Sequence, residues 1–124
     1  MLSVIQTIPL VRIFDEQKAR EFYCDWLGFS IDWEHRFEEG TPLYMQISFG
    51  SLSLHLSEHV GDCMPGGKVF VRCTGLLEWH NSLVAKNYKY YHPGIEDAFW
   101  GGICMSLIDP FGNKLLFSEN ETTP

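Results

Sequence analysis

The sequence predicts an α+β fold built from two βαβββ units in tandem. Three observations predict it. Each half of the chain holds one stretch with an apolar face at helical spacing, ended by a residue that tolerates the left-handed conformation: Gly28 in the first half, Asn87 in the second. Leu52, Leu54 and Leu56 alternate with Ser53, His55 and Ser57, the period of a strand buried on one face. Matching points recur at a near-constant offset, with Asn87 lying 59 residues after Gly28 and Ser118 lying 62 after Leu56.

Each element follows from its residues. Val4 to Ile13 is β-branched and apolar and reads as a strand, with Pro9 placing its start at or near a sheet edge. Asp15 offers an N-cap to a helix whose one face is Ala19, Phe22, Tyr23, Trp26 and Leu27. Phe29 to His35, Leu43 to Phe49 and Ser51 to Ser57 read as three strands, with turns at Gly40-Thr41-Pro42 and Gly50. Lys68 to Cys73 opens the second unit as a strand. Thr74 can cap a helix with Leu76, Leu77, His80, Leu83 and Val84 on one face. Tyr88 to Tyr91 reads as a short strand, and Ile103 to Ile108 with Lys114 to Ser118 as a hairpin around Asp109-Pro110-Phe111-Gly112-Asn113. The expected organisation is one domain over residues 1–124, with a module at about 1–57, a polar, Gly-rich linker at 58–67 and a second module at about 68–119.

Composition bounds the function. The 124 residues are 45% hydrophobic and 15% aromatic, enough to bury a core. A formal net charge of -7 argues against nucleic acid and anionic membrane surfaces as partners and suits solubility or a cationic ligand. No apolar run approaches the roughly 18 residues of a membrane span, and the N-terminus lacks the basic and apolar regions of a signal peptide. Cys24, Cys63, Cys73 and Cys104 are scattered without Cys-x-x-Cys spacing and read as reduced thiols of a cytoplasmic protein.

His55-Leu56-Ser57-Glu58-His59 matches the His-x-x-Glu-His pattern of one zinc peptidase class, which requires a helix to bring both imidazoles to one ion. On a strand, positions four apart lie about 13 Å apart. A looser metal site from His55, His59 and Asp62, drawn together by the loop, is the weaker candidate that remains. Phe22, Tyr23 and Trp26 belong to the core. Trp79 lies off the apolar face of the second helix and is either exposed or a contact between chains.

The motifs Ile8-Pro9-Leu10-Val11 with Asp15, Glu21-Phe22-Tyr23, Leu27-Gly28-Phe29, Leu54-His55-Leu56-Ser57, Phe99-Trp100-Gly101 and Asp109-Pro110-Phe111-Gly112-Asn113 follow one another over nearly the whole chain. In that order they resemble the glyoxalase/bleomycin-resistance/dioxygenase superfamily, the vicinal-oxygen-chelate fold, and within it the bleomycin-resistance branch. The resemblance implies mixed sheets curled around a cleft and a homodimer whose clefts are lined by both chains. Enzymes of the superfamily hold a divalent metal at positions that map onto Ile8, His55, approximately Lys68, and Leu116. Of these only His55 is a metal ligand, so the resemblance carries no metal site and no cofactor with it. Glyoxalase and dioxygenase chemistry need that metal.

What the resemblance does carry is a groove. Aromatic residues matching Trp33, Phe37 and Trp100 line it, with an acidic residue matching Asp32 among them; His55 is expected on its floor. The expected function is binding and sequestration of a bleomycin-like, cationic or aromatic small molecule without catalysis. The alternative is a lyase, isomerase, transferase or dioxygenase of the same superfamily using an atypical metal site around His55.

Overall fold

Strand β1 (Leu10–Arg12) runs parallel to β4 (Leu52–Ser57), and β4, β3 (Tyr44–Phe49) and β2 (Ser30–His35) follow as an antiparallel meander, giving the sheet order β1-β4-β3-β2. This computed structural model describes residues 1–88 and 93–121. Its contacts gather into two units, Met1–Pro65 and Gly66–Pro124. Helix α1 (Glu16–Ala19) begins at Asp15, whose side chain accepts from Lys18 N, as the sequence predicts. The chain then widens into π-helical turns over Arg20–Trp26, with Leu27 N donating to Phe22 O. Ala19, Phe22, Tyr23, Trp26 and Leu27 are all buried, as expected, and so are Met45, Ile47, Leu54 and Leu56 of the sheet. Phe22 packs edge-on to Tyr23 at 4.9 Å, and Tyr23 edge-on to Phe29 at 6.0 Å.

The second unit repeats the plan. Strand β5 (Lys68–Arg72) runs parallel to β8 (Lys114–Glu119), which pairs with β7 (Ile103–Ile108). A two-residue strand, β6 (Glu96–Asp97), closes the order β5-β8-β7-β6. Helix α2 (Leu76–Ala85) lies between β5 and β6 in sequence and contacts β7 and β8. Each unit is therefore βαβββ. The left-handed helix ends fall where predicted, at Gly28 (φ 94°) and Asn87 (φ 53°). The hairpin turn is fixed by Asp109, whose carboxylate accepts from the backbone of Phe111 and Asn113 and from the Asn113 amide.

Several expectations are corrected. The first strand spans three residues, not Val4 to Ile13. Pairing begins where Pro9 O accepts from His55 N, and Val4 and Ile5 are exposed, because β-branched propensity does not supply a neighbouring strand. Of the strand expected at Tyr88 to Tyr91, residues 89–91 lie outside the described residues, and Tyr88 is not in a strand. Thr74 does not cap α2; Gly75 is the N-cap, and the Glu119 carboxylate accepts from Gly75 N at 3.2 Å and Leu76 N at 3.0 Å. The helix buries Leu76 and Leu83 while Leu77 and Val84 stay exposed. Trp79 is half-buried within its own unit, its ring 4.7 Å from Phe117. Within the expected linker, Glu58 is bonded to Leu43 through both backbone and side chain, which folds the following residues back against the first sheet.

Candidate ligand-binding site

The site begins with one extra residue in β2. Ile31 pairs with Ile47, yet Trp33 pairs with Gln46, so Asp32 is unmatched and forms a β-bulge. In a regular strand residues two apart share a face. The bulge cancels that rule: Ile31 stays opposite the buried Ile47, while Trp33 and His35 move to the face carrying Tyr44, Gln46 and Ser48. Glu34 is thereby turned toward Arg20, which also binds Glu16. Arg36 reaches Glu16 too and donates to Thr41 O at 2.8 Å, tying down the turn that carries Phe37.

On this face lies a cavity of about 390 Å³ walled by Trp33, His35, Phe37, Tyr44, His59 and Asp62, all from the first unit. The rings follow one another around it. Trp33 and Tyr44 are parallel, with centroids 5.9 Å apart. Tyr44 lies 6.4 Å from His59, His59 lies 5.8 Å from Phe37 and Phe37 lies 4.8 Å from His35. Asp62 adds a carboxylate, which accepts from Ser57 Oγ at 2.6 Å; the same hydroxyl accepts from His59 N. Flat apolar walls with one fixed anion suit a planar or cationic guest.

A hydrogen-bonded chain runs back from this wall. Tyr44 Oη lies 2.6 Å from His55 Nδ1, His55 Nε2 lies 3.0 Å from Gln46 Oε1, and Gln46 Nε2 donates to Asp32 at 2.9 Å. Ser48 Oγ donates to the other Asp32 oxygen at 2.9 Å. Burial pushes the His55 pKa down, favouring the neutral ring. Burial pushes the Tyr44 phenol up, and the negative charge of Asp62 and Cys63 adds to the rise. Burial likewise raises the Cys63 thiol, with Asp62 adding and Arg12 opposing.

The residues singled out in the sequence are thus distributed. Trp33 and Phe37 line the cavity. His55 stands one hydrogen bond behind the wall and Asp32 three. Trp100 belongs to the second unit, where its indole N–H donates to Ser118 Oγ at 2.9 Å and its ring lies 5.7 Å from Phe70. Sequence reasoning passed over His35 and Tyr44 as site residues. Tyr44 could have been found, because Tyr44, Gln46 and Ser48 alternate with the buried Met45 and Ile47. His35 depends on the bulge.

The superfamily metal does not fit the donors present. The registers set Leu10 beside His55 and Phe70 beside Leu116, and Ile8 and Lys68 offer an alkyl group and an ammonium. Among the described residues no group of three or more His, Cys, Asp or Glu could hold an ion. His55, His59 and Asp62 are partnered separately, as described above. The four cysteines are free thiols. No helix among the described residues is long and apolar enough to cross a membrane.

No curated protein matches the chain. Among solved structures, a bleomycin-binding protein complexed with bleomycin is similar, with a TM-score of 0.69 and 26% identity over 95% of this chain and 100% of that one. A bleomycin resistance determinant encoded on the transposon Tn5 has a TM-score of 0.72 at 25% identity, covering 96% and 100%. A bleomycin-binding protein from Streptomyces verticillus, complexed with copper(II)-bleomycin, shares the fold with a TM-score of 0.71 at 22% identity, covering 98% and 100%. A family model described as "Glyoxalase superfamily protein" matches residues 1–123, and the chain belongs to the glyoxalase superfamily.

Proposed function

We propose that this protein binds and sequesters a small aromatic or cationic molecule of the bleomycin type, without a catalytic metal. The observation that carries the reading is the cavity walled by Trp33, Tyr44, Phe37, His35 and His59, with Asp62 as its carboxylate. Stacking on these faces and attraction to the carboxylate suffice for retention, and the net charge of -7 draws cations toward the protein. The bleomycin-binding protein at 26% identity and the bleomycin resistance determinant at 25% support the ligand class. Sequestration requires no covalent step.

In this reading the working form is a homodimer. Of the residues singled out in the sequence, Trp33 and Phe37 are assigned to the ligand cavity, Asp32 and His55 to the hydrogen-bonded chain behind it, and Trp100, which is 41% exposed, to ligand contact in the second unit. Light scattering is expected to give twice the mass of one chain at micromolar concentration; a single-chain mass would remove the dimer from the proposal.

The test of function is tryptophan fluorescence titrated with bleomycin and with a neutral aromatic control, followed by recovery of the ligand after denaturing the protein. Saturable quenching by bleomycin, weakened in Trp33→Ala and Trp100→Ala, and return of unaltered drug are the expected results. No fluorescence change at tens of micromolar drug, or recovery of a modified drug, would overturn the reading.

A further inference from the structure

We propose that Tyr44 selects ligands by hydrogen-bond polarity: its hydroxyl proton is committed to His55, so that the phenolic oxygen offers the cavity an acceptor, and the preferred guest is an aromatic cation bearing N–H donors, such as an amidinium, guanidinium or primary ammonium. This rests on the binding reading above and narrows its ligand class.

The polarity is set from the far end of the chain of hydrogen bonds. A carboxylate offers acceptors, so Gln46 turns its NH₂ group to Asp32. Reversing the amide would set its carbonyl against that carboxylate. The Gln46 carbonyl is therefore the group facing His55, and Nε2 of the imidazole must carry a hydrogen to meet it. The neutral ring then has a bare lone pair at Nδ1. At 2.6 Å, the Tyr44 hydroxyl meets that lone pair with its only hydrogen. What remains on the Tyr44 oxygen is acceptor capacity, in a residue that lines the cavity. A guest with an N–H donor can use it, while a guest presenting a carbonyl meets oxygen against oxygen. A quaternary ammonium gains the ring faces but not this bond. His55, Gln46 and Asp32 act as positioning residues, and Ser48 holds Asp32 from its other side.

The experiment compares three probes of similar size, namely benzamidinium, phenyltrimethylammonium and neutral acetophenone, titrated against wild type, Tyr44→Phe and Asp32→Asn. NMR of the imidazole nitrogens reports the His55 tautomer in parallel. Wild type is expected to bind benzamidinium about tenfold more tightly than phenyltrimethylammonium, the scale of one hydrogen bond to a charged donor. Tyr44→Phe, which keeps the ring, is expected to bind both cations with that preference gone. Asp32→Asn, away from the cavity wall, is expected to erode the preference and admit the Nδ1–H tautomer of His55. Equal binding of the two cations by wild type, or a preference that survives Tyr44→Phe, would overturn this inference and leave the binding function standing. Failure of wild type to bind either cation or bleomycin would remove both.

Discussion

Trp33 and Tyr44, on adjacent strands, hold their ring planes within 10° of each other at a centroid distance of 5.9 Å. The two side chains are diagonal neighbours across the β2–β3 ladder, since Trp33 faces Gln46 and Tyr44 faces His35. The cavity wall therefore includes two parallel aromatic rings. Trp33→Ala removes one of them. A stacked ring contributes roughly 0.5–1.5 kcal/mol beyond its buried area, so affinity for an aromatic cation should fall severalfold to about tenfold. Isothermal titration with wild type and variant checks this, and unchanged affinity would place the ligand elsewhere.

His55 gives the fold a pH dependence of known sign. Its folded pKa is depressed by burial, so between that value and the ordinary imidazole value the unfolded chain binds more protons than the native one. Stability contributed by the neutral ring is complete above the ordinary value and is lost as pH falls through the window down to the folded value. Urea midpoints taken from about pH 8 to about pH 5 should decline more in wild type than in His55→Gln. Parallel slopes would mean that the imidazole titrates in the fold as it does in water.

Gly102 cannot become alanine cheaply. Its φ is +85°, and a Cβ there would stand 2.0 Å from Glu119 O. Its carbonyl also closes the turn that carries Trp100, accepting from Ala98 N at 3.0 Å. Gly102→Ala should cost about 2 kcal/mol or more and lower the melting temperature by roughly 10 °C. Gly40→Ala is the comparison. With φ +80° and nothing within 4 Å of the added carbon, it should cost about 1 kcal/mol.

Glu119 caps α2 from the end of β8, 43 residues from Leu76 in sequence. Glu119→Ala leaves two helix-start amides without that acceptor and should destabilise the second unit by about 1 kcal/mol. Thr74→Ala should stay within about 0.5 kcal/mol. Chemical denaturation of the two variants distinguishes the long-range cap from a local one, and the reverse ranking would restore Thr74 to that role.

That contrast explains what was legible. Asp15, Gly28, Asn87 and the Asp109 turn act on residues within a few positions of themselves, so short sequence spacing carries their chemistry. The alternation of β4 announces its buried face directly, through Leu54 and Leu56. Glu119, by comparison, finds its partners only after β8 is laid beside β5, and nothing around Thr74 signals that its role is taken. In the site, Trp33 and Phe37 stood out as aromatics in a charged stretch. Tyr44 was hidden among strand residues, while His59 and Asp62 stood out only as a weak metal candidate in a stretch that read as a linker. Their approach depends on Glu58 turning back to Leu43, an event of tertiary structure.

The bulge at Asp32 also sets how this protein can change over time. Substitution at position 32 alters a carboxylate but keeps the extra residue. Deletion of position 32 would join Ile31 directly to Trp33 and leave Trp33 opposite Gln46 and His35 opposite Tyr44, so the faces of β2 would survive while the carboxylate that holds Gln46 and Ser48 would be lost. One lost codon would then remove the anchor of the hydrogen-bonded chain behind the cavity without exchanging inside for outside. Identity at this point is under tighter constraint than length, and lineages that preserve the Asp32–Gln46–His55 hydrogen bonds should keep an acidic residue here.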